Sequence, residues 1–282
     1  MVTGHLGFIG RRVHAALEHA GYDVFGVDIA HGHQNDACLY FLRASRHYDL
    51  VVHCAAVVGG RALIEESPLA HAANLRIDAA LFQWAERTRP GRVVYVSSVA
   101  AYPVSLQYGD HRLREDDVNL DGPLWGPDQL YGWAKLTGEL LATRSTIPVS
   151  VPRPFTVYGE DQAPVHPFAD LAAQVREHRD PVTVWGSGNQ VRDFIHVEDV
   201  AGAILAMAEQ GIDGPVNVCS GSPVSLRDLI GMMGAAVGYS PGIKTLPEKP
   251  EGLPYRVGDP GKLHEFYVPR IPLKQGIARG LT

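Results

Sequence analysis

Short, continuous apolar runs alternate along this chain with longer stretches in which apolar residues recur every three or four positions. The runs YDVFGVD (residues 22–28), DLVVHCAA (49–56) and RVVYVSS (92–98) read as buried strands. Being apolar on both faces, they suit a parallel sheet covered on each side. Between them, PLAHAANLRIDAALFQWAER and DQLYGWAKLTGELLATRS carry helical spacing. The alternation predicts βαβ units and a doubly wound sheet. After VSVPRP (149–154) the pattern loosens into proline and glycine, then resumes with VTVWG, FIHVEDVAGAILAMAEQ, GPVNVCS and SLRDLIGMMGAAVG. From about Ser240 the chain is rich in proline and glycine and shows no long helix. No internal repeat, low-complexity tract or long charge block is present.

The opening MVTGHLGFIGRR raises the first chemical question. Gly4, Gly7 and Gly10 are evenly spaced ahead of an apolar helical stretch. Such glycines serve a tight turn, close backbone approach to a pyrophosphate, and strand–helix contact. The pyrophosphate would lie at the helix N-terminus, where free N–H groups and the dipole favour anions. Only Val2 and Thr3 are left for the strand that should precede the turn. The first strand is therefore expected to be truncated, with a true start a few residues upstream. The next strand ends at Asp28, about 20 residues past the glycines, where a carboxylate accepts both hydroxyls of an adenosine ribose. It would repel a 2′-phosphate, which favours NAD over NADP. About twenty residues separate Asp28 from Asp49, too few for the usual helix and third strand. That strand is expected to be vestigial and the adenine side of the site open.

Composition narrows the classes. With 282 residues, the chain fits one large α/β domain or a cofactor domain with a smaller lobe. The net charge of −6 argues against nucleic acid as a main partner. No apolar run approaches the roughly 18 residues of a membrane span, and no charged and apolar leader opens the chain, so a cytoplasmic protein is expected. Cys38, Cys54 and Cys219 are isolated and read as small buried hydrophobes rather than a redox centre. The histidines lack ligand spacing, and no metal site is expected.

The centre of the chain carries sharper chemistry. LYGWAK places Tyr131 and Lys135 four residues apart, one above the other on a helix face. An ammonium beside a phenol favours the phenolate and makes a general base for a hydroxyl proton. Upstream, RVVYVSS ends with Ser97 and Ser98, at the carboxyl end of a strand where parallel sheets bind ligands.

This ordered set resembles the extended short-chain dehydrogenase/reductases, in particular the NAD-dependent nucleotide-sugar epimerase/dehydratase family, over nearly the whole chain. TGHLGFIG is similar to the family's phosphate turn, VVHCAA to its fourth strand, VSSVAAYP to its serine segment and YGWAK to its tyrosine–lysine pair. WGSGNQVRDFIHVEDVAGAI resembles its substrate-lobe signature and GLPYRVGD its late nucleotide-contacting loop. The resemblance implies a Rossmann-type doubly wound parallel sheet with a smaller C-terminal substrate-binding lobe. The NAD-binding domain would span residues 1–155 with a return segment at about 190–219. The lobe would comprise 156–189 and 220–282.

By position, the resemblance makes Tyr131 the acid/base and has Lys135 hold the nicotinamide ribose. Ser98, four residues before Tyr102, would bond the reacting hydroxyl, with Ser97 as its rival. Gly4, Gly7, Phe8, Ile9, Gly10, Asp28, Asp36, Ala55, Ala56, Asn74 and Ser97 would join Tyr131 and Lys135 around NAD. Gly60, Arg61, Ser98, Thr156, Arg192, Arg256 and Asp259 would meet a UDP-, GDP- or dTDP-linked sugar. Arg192 and Arg256 would hold the diphosphate and Asp259 the nucleoside ribose, while Arg61 could pair with a sugar carboxylate. Thr156 stands where the family usually has asparagine. His196 is expected to be structural, and a homodimer is expected through the two long helices.

Which reaction follows depends on further groups. The resemblance places an acid or a cysteine at the position of Ala100 in dehydratases and 3,5-epimerases, and neither is present. What remains is the plainest chemistry, 4-epimerisation through a transient 4-keto sugar. A dehydratase, a decarboxylase, a 4-ketosugar reductase and a non-catalytic NAD-binding sensor stay open as alternatives.

Overall fold

The computed structural model describes residues 1–59, 63, 67–122 and 126–282. Six parallel strands form the main sheet: β1 (Val2–Thr3), β2 (Gly26–Val27), β3 (Leu50–His53), β4 (Arg92–Tyr95), β6 (Val149–Pro154) and β10 (Gly214–Val218), in the order β10-β6-β4-β3-β1-β2. Successive side chains of a strand point to opposite faces, and the core follows that rule. Val51 and Val93, register partners, feed one core with helices α2 (Ala37–Arg43), α3 (Ala72–Thr88) and α4 (Gln129–Arg144). Val52 and Val94, one residue on, feed the other with α1 (Phe8–His19) and α6 (Val197–Gln210). The continuous apolar runs of the sequence are the consequence of this double burial.

Two features depart from a full doubly wound sheet. β1 has two residues, yet it is central, lying between β2 and β3. Met1 extends its pairing, its amino group donating to the Leu50 oxygen at 2.7 Å and its oxygen accepting from Val52 at 2.9 Å. Among the described residues the chain forms no further strand after β2 before it reaches β3, so β2 is the edge of the sheet and α2 follows it after two short 3-10 turns.

A second sheet gathers β5 (Arg112–Leu113), β7 (Thr156–Tyr158), β9 (Val191–His196), β11 (Pro223–Ser225) and β13 (Tyr255–Gly258). In it β13 runs parallel to β9, with Arg256 opposite Arg192. β8 (Val182–Trp185) and β12 (Ile243–Leu246) form a separate parallel pair. Helices α5 (Pro167–Arg176), α7 (Leu226–Ala236) and α9 (Leu273–Leu281) close a third core around Phe168, Phe194 and Met233. A single turn, α8 (Gly261–His264), precedes α9. The proline-rich tail thus carries one amphipathic helix of nine residues whose apolar side, Gly276 and Ile277, is buried. Among the described residues no helix is long and apolar enough to cross a membrane.

Candidate active site

The site begins where β1 turns into α1. Gly4 has φ +65°, and a Cβ there would lie 2.8 Å from the Ala55 backbone. A Cβ on Gly10 would lie 2.0 Å from the Gly4 oxygen. No side chain larger than hydrogen fits either position. Gly7 is the N-cap of α1 and offers no capping side chain. The first N–H groups of a helix have no partner within it, and here Gly7, Phe8, Ile9 and Gly10 turn that end toward a cavity of about 890 Å³. Asp28 stands beside the turn, its carboxylate accepting from Leu6 N at 3.0 Å and Ala30 N at 2.9 Å. Each oxygen retains a lone pair for a further donor.

Gly4, Ala55, Ala56, Asp28 and Asp36 line this end of the cavity with Cys54, whose thiol burial pushes up to about 12 and so keeps protonated. Asp36 also caps α2, accepting from Leu39 N at 3.1 Å. Asn74 is buried and lies outside the cavity wall. Its amide exchanges two hydrogen bonds with Val57, 2.7 and 3.0 Å, and fixes the backbone that follows Ala55 and Ala56.

Ser97, Ser98, Tyr131 and Lys135 line the middle of the cavity. The two serines differ in what their hydroxyls do. Ser97 bonds Glu139, one turn beyond Lys135 on α4, inside the protein. Ser98 is partly exposed to the cavity, and its Oγ caps a short turn by accepting from Ala100 N at 3.1 Å. Lys135 is buried, its Nζ donating to the Val96 oxygen at 2.8 Å and standing 5.1 Å from the Tyr95 ring centroid. Ala100 is buried and presents no functional group to the cavity.

At the far end Thr156, Gln162, His166, Arg192 and Arg256 complete the wall. Burial holds the His166 imidazole below its ordinary range, so it is neutral at neutral pH. Arg192 donates to the main-chain oxygens of Val191 and Leu253, both at 2.8 Å. Arg256 donates to Asp128 at 2.6 Å and to Gln107. Asp259 lies off the cavity wall, 3.3 Å from Arg114. His196 caps α6 by accepting from Glu198 N at 3.3 Å, and so is structural. Gly60 and Arg61 lie outside the described residues. Among the described residues no three His, Cys, Asp or Glu side chains gather as a metal site.

Four residues that support this site from behind its wall belong to no motif read in the sequence. Glu139 and Arg153 form a buried pair at 2.6 Å behind Ser97. His71, fully buried, packs edge-on against Tyr131 with ring centroids 5.2 Å apart and its Nδ1 on the Val57 oxygen at 3.1 Å. Asp128 reaches across to Arg256 from three residues before Tyr131. A charged residue in the middle of an apolar run, as Arg153 is in VSVPRP, was the one available clue.

The continuous wall from the glycine turn through Asp28 to Tyr131 and Lys135 has the donor set for a dinucleotide. Comparison with known proteins agrees. The family model described as the NAD dependent epimerase/dehydratase family matches residues 1–219. The chain is similar to a probable GDP-L-fucose synthase 1 of Oryza sativa subsp. japonica, 29% identical over 98% of this chain and 88% of that one. It is likewise similar to a dTDP-4-dehydro-6-deoxy-D-allose reductase of a Streptomyces species, 29% identical over 98% of this chain and 93% of that one. Among solved structures it is similar to the UDP-glucuronic acid 4-epimerase of Bacillus cereus in complex with UDP-glucuronic acid and NAD. That match has a TM-score of 0.80 at 25% identity, over 99% of this chain and 96% of that one.

Proposed function

The chain belongs to the NAD dependent epimerase/dehydratase family, and from that premise we propose that it epimerises a nucleotide-activated sugar at C4. NAD, the cofactor of the family, supplies when bound an acceptor that can take a hydride and give it back. The N–H groups of Phe8, Ile9 and Gly10 receive its pyrophosphate, with Gly7, whose own N–H is bonded to the Gly4 oxygen at 3.0 Å, as the small cap beside it. Asp28 receives its adenosine ribose, with Asp36 on the adenine side. Ala55 and Ala56 admit close backbone approach, and Asn74 keeps that backbone in place. Lys135 holds the nicotinamide ribose, and Ser97 packs beside it.

On the substrate, Tyr131 takes the proton of the 4-hydroxyl and returns it after the sugar has presented its other face. Ser98 bonds the same oxygen and orients it. Lys135 stands one turn beyond Tyr131 on the same helix, α4. Arg192 and Arg256, opposite one another on paired strands, face the diphosphate. Thr156 lines the same wall; by sequence alone, Asp259 is assigned to the nucleoside and Gly60 and Arg61 to the sugar. We assign the main sheet and its helices to cofactor binding and the second sheet with α5, α7 and α9 to the nucleotide sugar.

One observation carries the choice of reaction. Among the described residues, the carboxylates lining the cavity are Asp28 and Asp36, both at the glycine-turn end. Among the described lining residues none beside Tyr131 is an acid that could eliminate water, and the lining cysteine, Cys54, is held protonated. Serine, tyrosine and lysine suffice for removal and return of hydrogen at a single carbon. The Streptomyces relative supports a second reading, reduction of a 4-ketosugar, in which the cofactor would exchange at every turnover. We assign a homodimer to the two long helices α3 and α4; Trp133 is exposed on α4, and Leu69 is exposed on the short turn that precedes α3.

The test is incubation of the purified protein, without added cofactor, with UDP-, GDP- and dTDP-sugars, followed by NMR and mass analysis. A new C4 stereoisomer of unchanged mass supports the proposal. Loss of water or carbon dioxide, or turnover of ketosugars only with added NADH or NADPH, overturns it.

A further inference from the structure

The helix that carries Tyr131 is held at its first turn by a side chain from the second sheet. Asp128 is the N-cap residue of α4, a position where an aspartate ordinarily accepts from the helix's own N–H groups. Here its carboxylate makes no such bond. It goes to Arg256 Nη2 at 2.6 Å, with side chains only 5% and 15% exposed. The same guanidinium donates through Nε to Gln107, which is fully buried and bonds the oxygens of Tyr102 and Pro103 at 3.2 Å. Tyr102 closes the turn that Ser98 opens. One arginine on β13 therefore grips both the serine segment and the tyrosine helix.

The local backbone needs such a grip. Gln129, between Asp128 and Tyr131, has φ +56°, a left-handed conformation that a non-glycine residue keeps only where its surroundings enforce it. Asp128 N is tied to the Ala100 oxygen at 3.0 Å. A Cβ on Gly132 would lie 2.3 Å from that same oxygen, so the helix and the serine segment touch backbone to backbone. A shift of the first turn would move Tyr131 relative to Ser98 directly.

We propose that Asp128 is a positioning residue, acting through Arg256 to set Tyr131 against Ser98; this rests on the reading of Tyr131 as the acid/base. Because Arg256 also faces the cavity, a substrate diphosphate shares its guanidinium with Asp128, and substrate binding is coupled to the placement of Tyr131.

Asp128→Asn removes the charge and keeps the shape, and Asp128→Glu keeps the charge. In Asp128→Asn carrying NAD, amide hydrogen exchange in the first turn of α4 is expected to rise at least about tenfold, with the last turn unchanged. With a sugar that is turned over, kcat is expected to fall about tenfold to a hundredfold. KM should stay the same or drop, since Arg256 loses a competing carboxylate. Asp128→Glu should recover most of the rate. Arg256→Lys, which loses the fork, should give the same exchange signature and serves if Asp128→Asn does not fold. Unchanged exchange and kcat, or kcat loss with exchange raised across the whole protein, overturns the proposal. If the wild type turns over no nucleotide sugar, the reading of Tyr131 falls by itself, and exchange at the first turn still decides whether the grip exists.

Discussion

The hydroxyl of Ser97 is bonded to the carboxylate of Glu139 inside the protein, while its neighbour Ser98 faces the cavity beside Tyr131. Adjacent serines at the end of β4 thus have separate tasks. Ser98→Ala is expected to lower kcat about tenfold to a hundredfold with little change in stability, on the scale of one hydrogen bond to the reacting oxygen. Ser97→Ala leaves a buried acceptor short of a donor and is expected to cost about 1–3 kcal/mol of stability while sparing kcat. Steady-state rates and denaturant melts of the two variants check this. The reverse pattern would make Ser97 the catalytic serine.

Tyr131→Phe and Lys135→Met should separate proton transfer from cofactor binding. Loss of the phenol is expected to lower turnover by about 10²–10⁴-fold while the protein keeps its NAD, measured by absorbance of the purified protein. Lys135→Met removes the buried ammonium at the Val96 oxygen and is expected to lower both turnover and NAD content.

Much of this site was legible in the sequence, and the reason is local. The glycine turn, Asp28, the serine pair and the Tyr131–Lys135 spacing each express a requirement of one strand end or one helix face. The missing strand after Asp28 was legible too, because too few residues remained to make it. What was hidden arises from residues brought together by the fold: Ser97 and Ser98 are alike until Glu139 claims one of them. Asp128 reads as an ordinary helix cap, and Arg256 lies 128 residues away from it. Arg153 was visible as an oddity in an apolar strand, but its partner on α4 was not. The nine-residue helix α9 was hidden because prolines and glycines crowd the residues before it.

The Arg153–Glu139 pair is nearly solvent-free, at 1% and 3% exposure, with Nη2 2.6 Å from the carboxylate. Removing one partner strands a charge. Glu139→Gln is expected to cost about 3–5 kcal/mol in urea unfolding, against a much smaller cost for replacing both residues with apolar ones of similar volume. Equal losses in the single and double variants would contradict this.

His53 links stability to pH. It is fully buried between Thr3, at 2.8 Å, and Asp78, at 3.3 Å. Burial lowers its pKa, with Asp78 opposing. A depressed histidine pKa means that the unfolded chain takes up the proton first. Stability is then full above about pH 6.5 and falls below it, by up to about 1.4 kcal/mol per pH unit for this one group. His166 and His196 shift in the same direction, also through burial. Urea midpoints between pH 7.5 and 5 are expected to fall with acid, and the slope should be shallower in His53→Gln. An unchanged slope in that variant would remove His53 from the account.

The most direct test of the central claim uses a substrate bearing deuterium at C4 of the sugar. Removal and return of that hydrogen within one closed site requires the C4-inverted product to keep its deuterium in ordinary water, with no solvent hydrogen entering at C4. Product whose C4 deuterium has washed out, or inversion at another carbon with C4 untouched, would contradict the assignment of Ser98, Tyr131 and Lys135 to hydrogen transfer at C4.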